Sequence, residues 1–287
     1  MKIRPLVAVV GVTSLAALVS VPIHFASAAA PNYGNRDQAV SAVAGGGRMG
    51  IVLHYAPVNK PSRSNVNMCS IGVPWRLANG TRGFLTSGQC LSLDHPVGTQ
   101  VVKARSGRTW TPGPILGTRP NNMTTVNEGG TLARTGGDLA FVPSRLPIGN
   151  SLFIGGPGSG SRLPITSWAS KATGTYTLCF SGFESGSRCG LAQSKATSYK
   201  GENEGSVYTQ IAEAKFGRGR PGQTCGEAGD RGGVVYRMDP KKPVAYVVGI
   251  LSGSNGTKYT NWISGCSMYY TPLGVAQKQF GGGPITS

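Results

Sequence analysis

The sequence of 287 residues is rich in glycine (44) and proline (19), is 39% hydrophobic and carries a formal net charge of +17. That length holds one large or two small domains, and that hydrophobic share excludes global disorder. The basic excess attracts anionic surfaces, but no long Lys/Arg run and no nucleic-acid motif accompanies it, so nucleic acid is not an expected partner.

Residues 1–28 read as a secretory signal peptide. Lys2 and Arg4 give a positive start, 6–21 is a short apolar stretch, and Ala26-Ser27-Ala28 is a small-residue cleavage site. No acid lies in that stretch, so losing the two cations leaves the mature chain at +15. An extracellular location follows, and no later apolar run reaches the ~20 residues of a membrane span. Residues 29–48 are small and polar and contain Gly45-Gly46-Gly47, which predicts a flexible N-terminal segment.

From Met49 the pattern predicts short strands: 50–55 (GIVLHY), 69–74, 83–86, 100–104, 138–142 (DLAFV), 165–169, 175–180, 206–211, 233–236 and 244–251 (VAYVVGIL). Turn residues separate them by about ten to fifteen positions, the spacing of an all-β protein. Polar glycine-rich loops are predicted at 121–137 and at 155–161 (GGPGSGS), the second a candidate boundary between two halves. Only 272–280, with Leu273, Val275, Ala276 and Phe280, predicts a helix.

The six cysteines, Cys69, Cys90, Cys179, Cys189, Cys225 and Cys266, all lie beyond the signal. An even number in an exported chain predicts three disulfides, with 15 pairings open to sequence reasoning. No Cys-x-x-Cys spacing occurs and only His54 and His95 remain after signal removal, so neither a metal nor a cofactor is expected.

Four local patterns carry chemical information. In chain order they are Gly83-Phe84-Leu85-Thr86-Ser87-Gly88-Gln89-Cys90, Gly137-Asp138-Leu139-Ala140-Phe141-Val142, Thr224-Cys225-Gly226-Glu227-Ala228-Gly229-Asp230-Arg231-Gly232-Gly233, and Gly249-Ile250-Leu251-Ser252-Gly253-Ser254. Together they resemble the chymotrypsin-fold serine proteases, most closely the secreted bacterial streptogrisin-like branch, over about residues 49–280. In that family the first pattern ends Thr-Ala-Gly-His-Cys and carries the catalytic base. The second carries the aspartate that orients the base, the third reads Gly-Asp-Ser-Gly-Gly around the nucleophile, and the fourth pairs with substrate backbone.

The resemblance implies two antiparallel six-stranded β-barrels side by side, at 49–150 and 151–287, with a short C-terminal helix in the second. It implies disulfides Cys69–Cys90, Cys179–Cys189 and Cys225–Cys266. It also places oxyanion-hole-like donors at Gly229 and the Arg231 backbone, and a peptide-pairing strand at Ser252, Gly253 and Ser254.

Two of the three triad positions depart from the family: glutamine stands at 89 and arginine at 231, while Asp138 is retained. A carboxamide has no basic lone pair near neutral pH, so Gln89 cannot shuttle a proton. A guanidinium stays charged and is not a nucleophile. His54 and His95 occupy no family catalytic position. The expectation is therefore an inactive homologue in which Arg231 and Gln89 turn towards Asp138 as a static polar network. It would act as a monomeric binding or regulatory protein whose ligand is an extended peptide or protein. A residual or non-standard secreted hydrolase is the first alternative, although no nucleophile–base pair supports it. A polyanion or cell-envelope polymer binder is the second, and its affinity would fall steeply with salt.

Overall fold

The computed structural model describes residues 32–33, 42–52, 66–90, 98–103, 110–117, 121–122, 133–134, 137–171, 177–200, 207–216, 226–254 and 267–287. The signal peptide, His54, His95, Cys225, Cys266 and most of the predicted 121–137 loop lie outside the described residues.

In the N-terminal half the strands are β1 (Val43–Gly45), β2 (Arg48–Val52), β3 (Val66–Ser70), β4 (Pro74–Arg76), β5 (Arg82–Thr86), β6 (Gly98–Lys103), β7 (Trp110–Ile115), β8 (Asn121–Asn122), β9 (Ala133–Arg134) and β10 (Ala140–Pro143). The C-terminal half holds β11 (Ile148–Phe153), β12 (Arg162–Trp168), β13 (Thr177–Gly182), β14 (Gly186–Lys200), β15 (Val207–Phe216), β16 (Val234–Met238), β17 (Ala245–Ser254), β18 (Ser267–Pro272), helix α1 (Leu273–Phe280) and β19 (Gly283–Pro284).

The C-terminal half forms a ring. Antiparallel pairing runs β13–β14, β14–β15, β15–β18, β18–β17, β17–β16 and back from β16 to β13. Six strands thus close on themselves, and Leu178, Phe180, Ala214, Val235, Val248, Leu251, Met268 and Tyr270 pack as one buried cluster. Closure removes the sheet edges that would otherwise invite pairing with another chain. Strand β14 is polar and glycine-bearing and escapes the hydrophobic pattern; its ladders to β13 and β15 define it instead.

The N-terminal half departs from the expected closed barrel. Among the described residues its strands other than β1 and β9, which pair into the larger sheet, form a four-stranded sheet, β3-β2-β6-β7, and, with β19 from the C-terminus, a five-stranded sheet, β19-β4-β5-β10-β8. The two are bridged between Gly117 and Ser144 rather than by a continuous ladder. Strand β7 reads WTPGPI. Its two prolines have no N–H to donate, which confines such a strand to a sheet edge.

The expected boundaries shift as well. Part of the segment predicted as flexible is built into the fold: Ala42, Val43 and Ala44 are buried, and β1 pairs in parallel with β11. Tyr33 also docks, with the Arg162 guanidinium 3.9 Å from its ring centroid. The 150/151 boundary falls inside β11, a strand that joins the larger sheet through β12. Small residues in 29–48 suggested freedom because their burial against Ile148 and Leu152 is long-range information.

Helix α1 begins one residue later than predicted, after Pro272 in extended conformation, and ends at Gly281 (φ 69°), whose N–H caps the carbonyl of Gln277. Its Leu273, Val275 and Ala276 enter the cluster around fully buried Trp75 and Phe141. Trp75 donates its indole N–H to Gly281 O at 2.9 Å. Past the helix, β19 pairs with β4, so the C-terminus staples the last strands onto the first sheet.

Candidate functional site

Strands β5 and β10 are antiparallel neighbours with Thr86 opposite Ala140. The residues that follow β5 and precede β10 must therefore meet. A single 3₁₀ turn, Gly88–Cys90, leaves β5, and the Cys69–Cys90 disulfide (Cα–Cα 6.1 Å) ties it to β3. This turn sets Gln89 on the carboxylate of Asp138. The Gln89 backbone N–H donates to Asp138 Oδ1 at 2.9 Å, and its side-chain Nε2 donates to Oδ2 at 2.9 Å. Ser87 Oγ donates to the same Oδ2 at 2.5 Å. Nε2 also reaches the carbonyl of Ser252 at 3.3 Å, so both hydrogens of the amide have acceptors. Gln89 Oε1 is buried without a hydrogen-bond partner.

Asp138 is fully buried. Burial raises its carboxyl above the ordinary value, against the hydrogen bonds from Ser87 and Gln89 and the more distant charge of Arg231. From behind, the Asp138 N–H donates to Thr271 Oγ1 at 3.0 Å, and Thr271 Oγ1 lies 3.4 Å from Ser252 Oγ. Residues of β17 and β18 thus hold the backbone of Asp138 and the side chain of Gln89 just ahead of β10.

Arg231 sits in the turn after a second 3₁₀ segment, Ala228–Asp230, and is 9% exposed. Its carbonyl accepts from Ser70 N at 2.8 Å, and the next residue donates from Gly232 N to Leu251 O at 2.7 Å. Gly232 has φ +84°, and a Cβ there would fall 2.2 Å from Thr86 Oγ1. Only glycine fits that approach, which draws the turn against the end of β5. Asp230, also fully buried, is the anchor: its carboxylate accepts the N–H groups of Glu184 (3.0 Å), Ser185 (2.8 Å) and Glu227 (2.8 Å). Burial pushes Asp230 up, opposed by those donors. Ser70 adds a strut, donating to Gly229 O at 2.9 Å and accepting from Phe183 N at 3.0 Å.

The expected contact between Arg231 and Asp138 takes a different form. Among the described residues the ion pair present is Lys215–Glu213 at 3.9 Å, and none joins Arg231 to Asp138. Ser87 and Gln89 already occupy both oxygens of Asp138, so Arg231 acts on it through its charge alone.

Of the peptide-pairing trio, Ser252 is buried and its carbonyl is held by Gln89, while Gly253 and Ser254 are partly exposed. Pairing of β17 with β16 ends at Ile250, whereas pairing with β18 continues to Ser254. Met268, opposite Ser254, packs towards Gly226: a Cβ there would lie 3.0 Å from Met268 Cε.

Sequence reasoning named Gln89, Asp138 and Arg231 but assigned no role to Ser87, Thr271, Ser70 or Asp230. Ser87 and Asp230 stood inside the quoted motifs, where a polar residue among buried neighbours was the available signal. Ser70 and Thr271 act from far along the chain and gave none. The disulfides Cys69–Cys90 and Cys179–Cys189 form as the resemblance implied; Cys225 and Cys266 lie outside the described residues.

No family model matches the sequence, and no curated protein matches it. Solved structures do. Thermobifida fusca Protease A superposes with a TM-score of 0.54 at 18% identity, covering 86% of this chain and 100% of that one. A Nocardiopsis protease gives 0.53 at 18% identity over 85% of this chain and 100% of its own. A serine protease described as specific for glutamic acid gives the same TM-score, identity and coverage. With the six-stranded ring, the β5–β10 junction and the glycine-shaped turn at 229–233 in place, the chain has the chymotrypsin-type fold of the bacterial serine proteases.

Proposed function

We propose that this chain is a secreted, non-catalytic relative of those proteases that binds an extended peptide or protein segment along Gly253 and Ser254. The observation that supports this reading is the Gln89 amide, hydrogen-bonded through its N–H groups to Asp138 and Ser252. It has the position of a proton carrier and none of the basicity. Arg231 supplies a cation where a nucleophile would be needed, so neither half of acyl transfer has an agent. What persists is a rigid scaffold and a strand whose pairing with β16 stops at Ile250, the arrangement that accepts an added strand.

The test uses the protein without its first 28 residues. It is immobilised and exposed to a tryptic digest of denatured casein at low and at raised salt, with turnover of fluorogenic peptides and nitrophenyl esters measured in parallel. Retention of a defined peptide subset that survives raised salt and drops about tenfold in Gly253→Pro, without turnover, supports the reading. Turnover above buffer by the wild type overturns it. Retention that salt abolishes also overturns it, in favour of polyanion binding.

A further inference from the structure

We propose that the end of the six-stranded ring beside helix α1 is a binding site for small aromatic carboxylates that carry a polar group at the far end of the ring. The reading is independent of what the Asp138 region does.

A cavity of about 450 Å³ opens there, within the size range of small-molecule sites. Ile211 and Val275 give it apolar sides, Lys171 and Lys278 stand exposed at its rim, and among the described residues no acid lines it. Tyr270 contributes to the wall and is 1% exposed, yet its hydroxyl has no hydrogen-bond partner. The ring passes over Gly249, where a Cβ would fall 2.4 Å away. Gly249 pairs with Pro272, itself a cavity residue, so the ring leans along the strands towards the cavity. Gln210, also lining it, has φ +58°, a left-handed conformation that is costly for a residue with a side chain.

These features define the ligand by chemistry. A buried hydroxyl without a partner forfeits about 1–3 kcal/mol, which a ligand oxygen would recover. Burial raises Tyr270 to about 12, so at neutral pH it remains a donor. An aromatic body fits the Ile211–Val275 walls, and a carboxylate at the rim meets two cations with no acid beside them among the described residues.

The experiment titrates the mature protein with para-hydroxyphenylacetate, phenylacetate and the methyl ester of the first, followed by ligand-observed NMR. The hydroxylated acid is expected to bind about tenfold tighter than phenylacetate, the factor for one satisfied buried hydrogen bond. Tyr270→Phe should make the two acids equal. The exposed pair Lys171→Glu and Lys278→Glu, which leaves the core untouched, should weaken both acids and leave the ester unchanged. Absence of binding by either acid overturns the proposal. So does a tenfold preference that persists in Tyr270→Phe, or acids that bind the double lysine variant as well as the wild type.

Discussion

Changing Gln89 to histidine and Arg231 to serine together is expected to raise peptide hydrolysis at least ~10²-fold above the wild-type chain. A complete triad is worth on the order of 10⁶ in turnover, and its loss still leaves ~10³–10⁴ over water from binding and oxyanion stabilisation. The expected gain is set well below the full value because Met268 packs towards Gly226 beside the cleft. The geometry favours the outcome. Gln89 Nε2 already stands 2.9 Å from Asp138 Oδ2, where an imidazole N–H would donate, and Ser87 Oγ supports the same oxygen. The turn carrying residue 231 is fixed by Asp230, Ser70 and Gly232 rather than by the arginine side chain. Each single variant should remain inactive, since a base without a nucleophile and a nucleophile without a base both fail. Activity in Arg231→Ser alone would show that proton transfer there does not need a histidine at 89. A folded double variant with no turnover would show that more than two residues separate this cleft from a working one.

The second large effect concerns Asp138. Its replacement by alanine is expected to cost about 3 kcal/mol, because the Ser87 hydroxyl and both Gln89 N–H donors lose their acceptor in a dry site. Asparagine should cost less than alanine, about 1–2 kcal/mol at neutral pH. Its oxygen keeps the bond from the Gln89 backbone, and its amide group, standing in for Oδ2, can donate to Ser87 Oγ but no longer accepts from Gln89 Nε2. The pH dependence has a definite sign. Burial lifts the folded carboxyl above the ordinary 3.8, so the folded state holds its proton more tightly than the unfolded chain. The stability this provides is complete below 3.8 and is lost as pH rises through the folded value. Thermal melts from acid to neutral pH should therefore show the Asp138→Asn variant gaining on the wild type as pH rises, with no gain below 3.8. Equal costs for alanine and asparagine, or a gain that runs the other way, would mean that Asp138 is neither buried nor held as described.

Much of this was legible in the sequence because it was local. The stretch 244–251 is apolar throughout and becomes β17, and Pro272 and Gly281 bracket the helix as its start and stop. The four motifs placed Gln89, Asp138 and Arg231 because each is written in neighbouring residues. What escaped was long-range. Strand β14 has no apolar alternation and exists through its ladders to β13 and β15. Residues 42–45 look like a linker until β11 covers them. Arg231 was expected to satisfy Asp138 by charge, yet Ser87, one residue from a helical turn, reaches the carboxylate first. A hydroxyl two positions from Gln89 carries no charge for pattern reading to notice, and only the closing of β5 on β10 makes it the nearest donor.

On the proposed function, the wild-type cleft forms no covalent intermediate. Intact-mass measurement of the mature chain after prolonged exposure to a serine-directed phosphonate checks this, with the Gln89→His, Arg231→Ser variant as the positive comparison. The prediction is an unchanged wild-type mass and a single added phosphonyl group on the variant, at residue 231. A stoichiometric adduct on the wild-type chain, mapped to any residue beside Asp138, would contradict it.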